Sequence, residues 1–123
     1  MSAGMSDQKY QGSCHCGAVR YAVTLDLEQL AITCNCSMCQ RAGTMLMFAP
    51  MSAFKLEKGG DHLTSYKFNR NVIDHLFCKT CGIKSFARGK AKDGSPTAAI
   101  NVRCLEGVDA TRVKTQHYDG KAY

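Results

Sequence analysis

Cys14-His15-Cys16-Gly17-Ala18-Val19-Arg20-Tyr21-Ala22-Val23 carries two signals in succession. A closely spaced pair of thiols stands before a glycine, and from Val19 to Val23 the chain then alternates in a run of strand formers, which reads as a half-buried strand. The same union of thiols and glycine recurs as Cys78-Lys79-Thr80-Cys81-Gly82. It lies between the apolar runs Val72 to Phe77 and Ile83 to Ala87, so the pattern predicts a hairpin with a cysteine knuckle at its tip. Glycine after the second thiol permits the left-handed turn that folds both sulfurs inward.

Outward from these two segments the apolar pattern is mostly of period two. Leu30 to Thr33 reads as a short strand. Met45 to Ala49 reads as a strand buried on both faces and ended by Pro50. Phe54 to Glu57 and Leu63 to Phe68 read as the arms of a hairpin turned at Gly59-Gly60. Gly89 to Pro96 is a loop of turn formers and charge. Ala98 to Cys104 alternates as a late strand that puts Cys104 beside Ile100 and Val102 as a small buried hydrophobe, and Val113 to Tyr118 adds a last edge. One helical turn is expected, from Ser37 to Arg41, with Ser37 as its cap. The aromatic side chains and the methionines fall where core packing accounts for them. The fold class is therefore all-β, a single domain of short antiparallel strands stapled by metal. Residues 1–8 are expected as a flexible N-terminal segment and 9–123 as the zinc-binding β domain.

With 123 residues, 45% of them hydrophobic and 21% charged, the chain is long enough for one core and too apolar for a disordered tail. No run approaches the ~18 apolar residues of a membrane helix. Met1 to Gln8 shows no apolar segment of the secretory kind, so a soluble, cytoplasmic protein is expected, without a membrane partner. The formal charge of +6 invites a nucleic-acid reading. Seven thiolates would lower it by seven and two zinc ions raise it by four, to +3, and the basic residues are dispersed. Lys84 to Lys92 comes nearest to a cluster and looks like a solvated loop. Nucleic acid is therefore not the expected partner, and the sequence leaves the oligomeric state open.

Eight cysteines without an export signal favour metal over disulfides, which are rare in reducing compartments. They sort into Cys14/Cys16, Cys34/Cys36/Cys39, Cys78/Cys81 and an isolated Cys104. Two distant pairs make a closed four-thiolate zinc site that contributes directly to folding. The middle group brings three thiols from six consecutive residues, Cys34-Asn35-Cys36-Ser37-Met38-Cys39. Three protein ligands and one open place is the arrangement of a catalytic zinc. Two zinc ions per chain follow, unless His62, His75, His117 or Cys104 closes the second site as a structural one.

The order Gly12-Ser13-Cys14-His15-Cys16-Gly17-Ala18-Val19-Arg20-Tyr21, then Cys34-Asn35-Cys36-Ser37-Met38-Cys39-Gln40-Arg41-Ala42-Gly43, then Leu76-Phe77-Cys78-Lys79-Thr80-Cys81-Gly82 resembles the glutathione-dependent formaldehyde-activating enzyme family, which includes centromere protein V. Asn101 to Leu105 and His117 to Gly120 resemble the closing segments of its shorter members. The resemblance implies a β-tent zinc fold. It implies Cys14, Cys16, Cys78 and Cys81 as structural zinc ligands, and Cys34, Cys36 and Cys39 as ligands of the catalytic zinc. It also implies carbon–sulfur lyase activity on a glutathione-like thiol and a formaldehyde-like aldehyde. Arg41, with Gln40 beside it, is the nearest candidate to bind the carboxylates of such a thiol, and Asn35 and Ser37 stand where they could hydrogen-bond sulfur or stabilise the turn. The alternatives are a non-catalytic zinc-stabilised binding module and, behind it, a redox thiol protein built on Cys36 and Cys39.

Overall fold

A computed structural model of the chain describes residues 7–67, 73–91 and 93–119. Among the described residues, ten strands and one short α-helix follow in order: β1 (Gln8–Ser13), β2 (Arg20–Leu25), β3 (Ala31–Cys34), α1 (Ser37–Ala42), β4 (Leu46–Pro50), β5 (Phe54–Lys58), β6 (Leu63–Tyr66), β7 (Asp74–Cys78), β8 (Phe86–Lys90), β9 (Pro96–Asn101) and β10 (Thr115–Tyr118). The protein is all-β in its architecture. Phe68, Val72, Lys92, Gly120 and Tyr123, which entered the sequence reading, lie outside the described residues, as do residues 1–6.

Two sheets form. One has three strands in the order β1-β2-β5, and the other has seven in the order β10-β3-β4-β9-β8-β7-β6. All described pairings are antiparallel except one: β10 runs parallel to β3, with Tyr118 opposite Cys34. β2 is the central strand of the small sheet and is buried more fully than alternation predicts, with Tyr21, Ala22 and Val23 all covered. β4 departs in the other direction. Met45, Leu46 and Met47 are buried, but Phe48 is 49% exposed, so the face that Leu46 and Phe48 share is covered only at its start.

The core fills the space between the sheets. Val19, Tyr21, Val23 and Leu25 meet Met47, Ala49, Phe86, Ala98 and Ile100 there. The rings of Tyr21, Phe54 and Phe86 sit with centroids 4.7–5.5 Å apart in tilted and edge-on arrangements, which suits the aromatic quadrupole. The buried Tyr21 hydroxyl donates to the Ser85 carbonyl at 3.0 Å, tying the small sheet to the large one.

The expected hairpin of Phe54–Glu57 with Leu63–Phe68 does not form. β5 pairs with β2 and β6 pairs with β7, so the chain leaves one sheet for the other between them. Gly59 explains the crossing. It takes a left-handed φ of 91°, and a Cβ there would lie 2.1 Å from the Ala18 carbonyl oxygen, so the backbone is pressed against the first cysteine loop. A 3-10 turn over Gly60–His62 follows, and the Lys79 N–H donates to the His62 carbonyl at 2.8 Å, passing the chain to the second knuckle. Gly59→Ala is accordingly expected to cost roughly 2–3 kcal/mol, the scale of an enforced strained backbone conformation. Gly60→Ala, whose new Cβ meets only the Leu56 side chain at 3.5 Å, should be close to neutral. Urea midpoints of the two variants check this; equal midpoints would contradict the crossing as the constraint.

The late segment also differs from expectation. β9 ends at Asn101 and a 3-10 turn takes Val102–Cys104, because the Asn101 side chain accepts from the Arg103 N–H at 3.2 Å and bends the chain. Cys104 is therefore half-buried on a turn and does not share a strand face with Ile100.

Candidate functional site

The first cysteine pair lies in the loop joining β1 to β2, and the second closes the tip of the β7–β8 hairpin. Each loop is tied by its own backbone. The Gly17 N–H donates to the Cys14 carbonyl at 3.3 Å, and the Gly82 N–H to the Cys78 carbonyl at 2.8 Å. Both glycines take positive φ, 82° and 79°, as the turns require. Main-chain donors already point at the sulfurs: Val19 N–H at Cys14 Sγ and Thr80 N–H at Cys78 Sγ, each at 3.4 Å. The four sulfurs of Cys14, Cys16, Cys78 and Cys81 lie within 4.8 Å of one another. The cluster joins the small sheet to the large one.

The second cluster is built in one short stretch where β3 ends. Cys34, Cys36 and Cys39 bring their sulfurs within 4.8 Å of one another. α1 begins at Ser37, but its cap is Cys36, whose sulfur accepts the Cys39 N–H at 3.3 Å. The expected Ser37 cap is thus displaced by one residue, because a thiolate acceptor sits where the serine oxygen would have acted. The Cys36 N–H in turn donates to Cys34 Sγ at 3.4 Å. The C-terminal strand braces this loop: Asn35 N–H donates to the Tyr118 carbonyl at 3.3 Å and Asn35 Nδ2 to Asp119 at 2.8 Å. Asn35 therefore serves the turn.

Among the described residues, no histidine, acid or further cysteine joins the three-thiol group. His117 contacts Thr33, His62 contacts Asp61, and His75 contacts Lys84. Cys104 lies on the side of the four-thiol cluster, where the charges of Cys14 and Cys81, after burial, help push its thiol up to about 11.

The donor sets fit metal ions. Sulfurs about 2.3 Å from a tetrahedral centre stand about 3.8 Å apart, and the Cys14–Cys16 and Cys16–Cys78 separations are both 3.7 Å. Charge points the same way. Main-chain N–H groups of Cys81 and Thr80 hold the Cys78 thiol down. The Cys81 thiol falls to about 6, because hydrogen bonds from Cys16, Ile83 and the neighbouring thiols outweigh its burial. At Cys16 the Ala18 contact lowers the pKa, yet burial and the adjacent sulfurs prevail and raise it to about 11. In the second cluster burial and the Cys36 thiol push Cys39 up to about 12, while Cys36 is lowered, its burial outweighed by contacts with Cys39, Cys34 and Met38. Neither group ionises fully by itself, since like charges oppose one another. A divalent cation removes that opposition, so both clusters can hold a metal ion.

A cleft of about 420 Å³ is lined by Ser37, Met38 and Arg41 of α1 and by Tyr66 of β6; the three cysteines are not among its described lining residues. Arg41 is exposed and folds back to donate to the Ser37 carbonyl at 3.0 Å. Gln40 is exposed and is not among the described lining residues.

Sequence context does not single out Lys84, whereas it offers His75 as a ligand of the second site, a place His75 does not take among the described residues. Lys84, expected in a solvated loop, is half-buried, and burial lowers its pKa while the Cys39 and Cys36 thiols act to raise it. Its Nζ lies 2.7 Å from Nδ1 of His75, which is only 6% exposed and is held at about 4 by burial and by the lysine's charge.

A crystal structure of a Rhodobacter sphaeroides protein superposes with a TM-score of 0.78 at 33% sequence identity, covering 88% of this chain and 99% of that one. The sequence model of the glutathione-dependent formaldehyde-activating enzyme matches residues 9–120. That span holds both thiol clusters, and the chain belongs to the glutathione-dependent formaldehyde-activating enzyme family.

Proposed function

We propose that this protein is a zinc-dependent carbon–sulfur lyase that joins a glutathione-like thiol to a formaldehyde-like aldehyde, or runs the same step in reverse. The observation that carries this reading is the three-thiol cluster, which no fourth described side chain completes. In the proposal Cys14, Cys16, Cys78 and Cys81 hold a structural zinc, and Cys34, Cys36 and Cys39 hold a second one with a place left for substrate. Zinc bound at the second cluster supplies that place, where a substrate thiol gives up its proton.

The protein's own groups do the rest. The Cys36 N–H donates to Cys34 Sγ and the Cys39 N–H to Cys36 Sγ, which fixes the turn that brings the three sulfurs together. Arg41 offers its guanidinium to a carboxylate of the incoming thiol from the cleft wall. In the forward direction the S–H bond breaks and a C–S bond forms. The carbonyl π-electrons pass to oxygen, which takes up the proton, so atoms and charge balance with no further reactant.

The test is the rate at which glutathione and formaldehyde equilibrate with their hydroxymethyl adduct, followed by NMR exchange with increasing amounts of zinc-loaded protein. The reading requires a rate proportional to protein above the spontaneous background. An unchanged rate with both sites loaded would turn the protein into a zinc-stabilised binding module.

A further inference from the structure

Lys84 needs a reason to be half-buried. Burying an ammonium is costly unless anions repay it, yet among the described residues no carboxylate pairs with Lys84. Its place is fixed from two sides. Its carbonyl accepts from Asn101 Nδ2 at 3.1 Å, and Asn101 Oδ1 accepts the Met45 N–H at 3.4 Å, two residues beyond the Gly43 cap of α1. The backbone of Lys84 is thus anchored to the segment that leaves the three-thiol cluster. Its Nζ donates to Nδ1 of the buried His75 at 2.7 Å. A neutral imidazole accepts one such bond, so the ammonium keeps two further N–H groups. His75 pairs with Tyr66 across β7 and β6, and Tyr66 shares a cleft with Ser37, Met38 and Arg41 of α1, the helix that carries Cys39; on that side the anions that act on Lys84 are the Cys39 and Cys36 sulfurs.

The charge of the loaded cluster explains why a cation is placed there. Three thiolates around a divalent ion leave one net negative charge, and an anionic sulfur in the remaining place makes two. At a half-buried cluster that second charge is opposed. We infer that Lys84, seated by His75, is the counter-cation of the three-thiol site, offsetting the negative charge of the thiolate cluster so that an anionic substrate sulfur can join it. The inference rests on the proposed function for the identity of that sulfur. It assigns Lys84 to the charge of the sulfur and leaves the carboxylates of the substrate to other groups.

The experiment compares the wild-type protein with Lys84→Met and Lys84→Arg, using two readouts. In the first, cobalt-loaded proteins are titrated by absorption with glutathione and, separately, with 2-mercaptoethanol, which carries no carboxylate. Lys84→Met should weaken both thiols by roughly tenfold to a hundredfold, the size of a charge-assisted contact. Lys84→Arg, which keeps the charge, should stay within a few-fold of wild type. Weakening of glutathione alone would make Lys84 a carboxylate-binding residue and overturn the inference. In the second readout, zinc is withdrawn by a competing chelator. Lys84→Met should release the three-thiol zinc at about tenfold lower chelator than wild type, with the four-thiol zinc as an unchanged internal control. Equal release from both proteins overturns the inference whatever the thiols do. A wild-type cobalt spectrum that ignores both thiols, with chelator release still dependent on Lys84, would count against the proposed function and leave the role of Lys84 standing.

Discussion

Cys16→Ser is expected to lose one zinc per chain and about 4 kcal/mol or more of stability, out of a total of about 5–15 kcal/mol for a domain of this size. Cys16 is exposed, so the substitution removes almost no packing, and the loss reports the metal site itself. The four-thiol cluster is where the β1–β2 loop meets the β7–β8 tip. Other described links across this gap are the Tyr21–Ser85 hydrogen bond, the Gly12–Leu105 bridge, the Glu106 N–H to the Gln11 carbonyl, the Arg20–Glu106 ion pair and the apolar core. A metal staple across that gap closes a loop of some sixty residues in the unfolded chain, and such closure contributes the more because the ends are far apart in sequence. Thermal unfolding by circular dichroism, with zinc counted by mass spectrometry, checks the prediction. A variant that lost the zinc yet melted within about 1 kcal/mol of wild type would show that the sheets hold together without it.

Cys36→Ser should behave in the opposite way. Serine is itself a good helix cap, so α1 keeps an acceptor for the Cys39 N–H that Cys36 Sγ now accepts. The fold should therefore lose no more than about 1–2 kcal/mol, while the three-thiol metal is lost and the adduct-forming rate falls to background. The contrast between the two variants separates the clusters: one change lowers the stability of the fold and the other removes the chemistry. Retained turnover in Cys36→Ser with its zinc gone would remove this cluster from the reaction.

The cysteine groups were legible in the sequence because thiol spacing is a local property and few chemistries explain it. The strands around them were legible as well, since β2 and β9 advertise themselves by alternation. Partners were harder. Nothing local in Phe54–Lys58 or Leu63–Tyr66 says that these strands pair with β2 and β7, because the steric press of Gly59 on Ala18 exists only once the first cysteine loop is folded. The shift of the α1 cap from Ser37 to Cys36 has a similar origin. Serine is the better cap by propensity, but the three sulfurs must converge, and their turn starts the helix one residue earlier. Lys84 was hidden for the plainest reason. A lysine three residues past a knuckle reads as surface, and only the fold brings it against His75 and within reach of the Cys36 and Cys39 thiols.

The central claim is that the three-thiol cluster holds zinc with a place left for a substrate sulfur. X-ray absorption at the zinc edge tests it most directly, on protein carrying two zinc ions, before and after addition of glutathione. Sites of four and three sulfurs predict an average of about 3.5 sulfurs per zinc with a light-atom ligand before addition, rising to about four afterwards. Four sulfurs per zinc from the outset, with no change on adding glutathione, would contradict it.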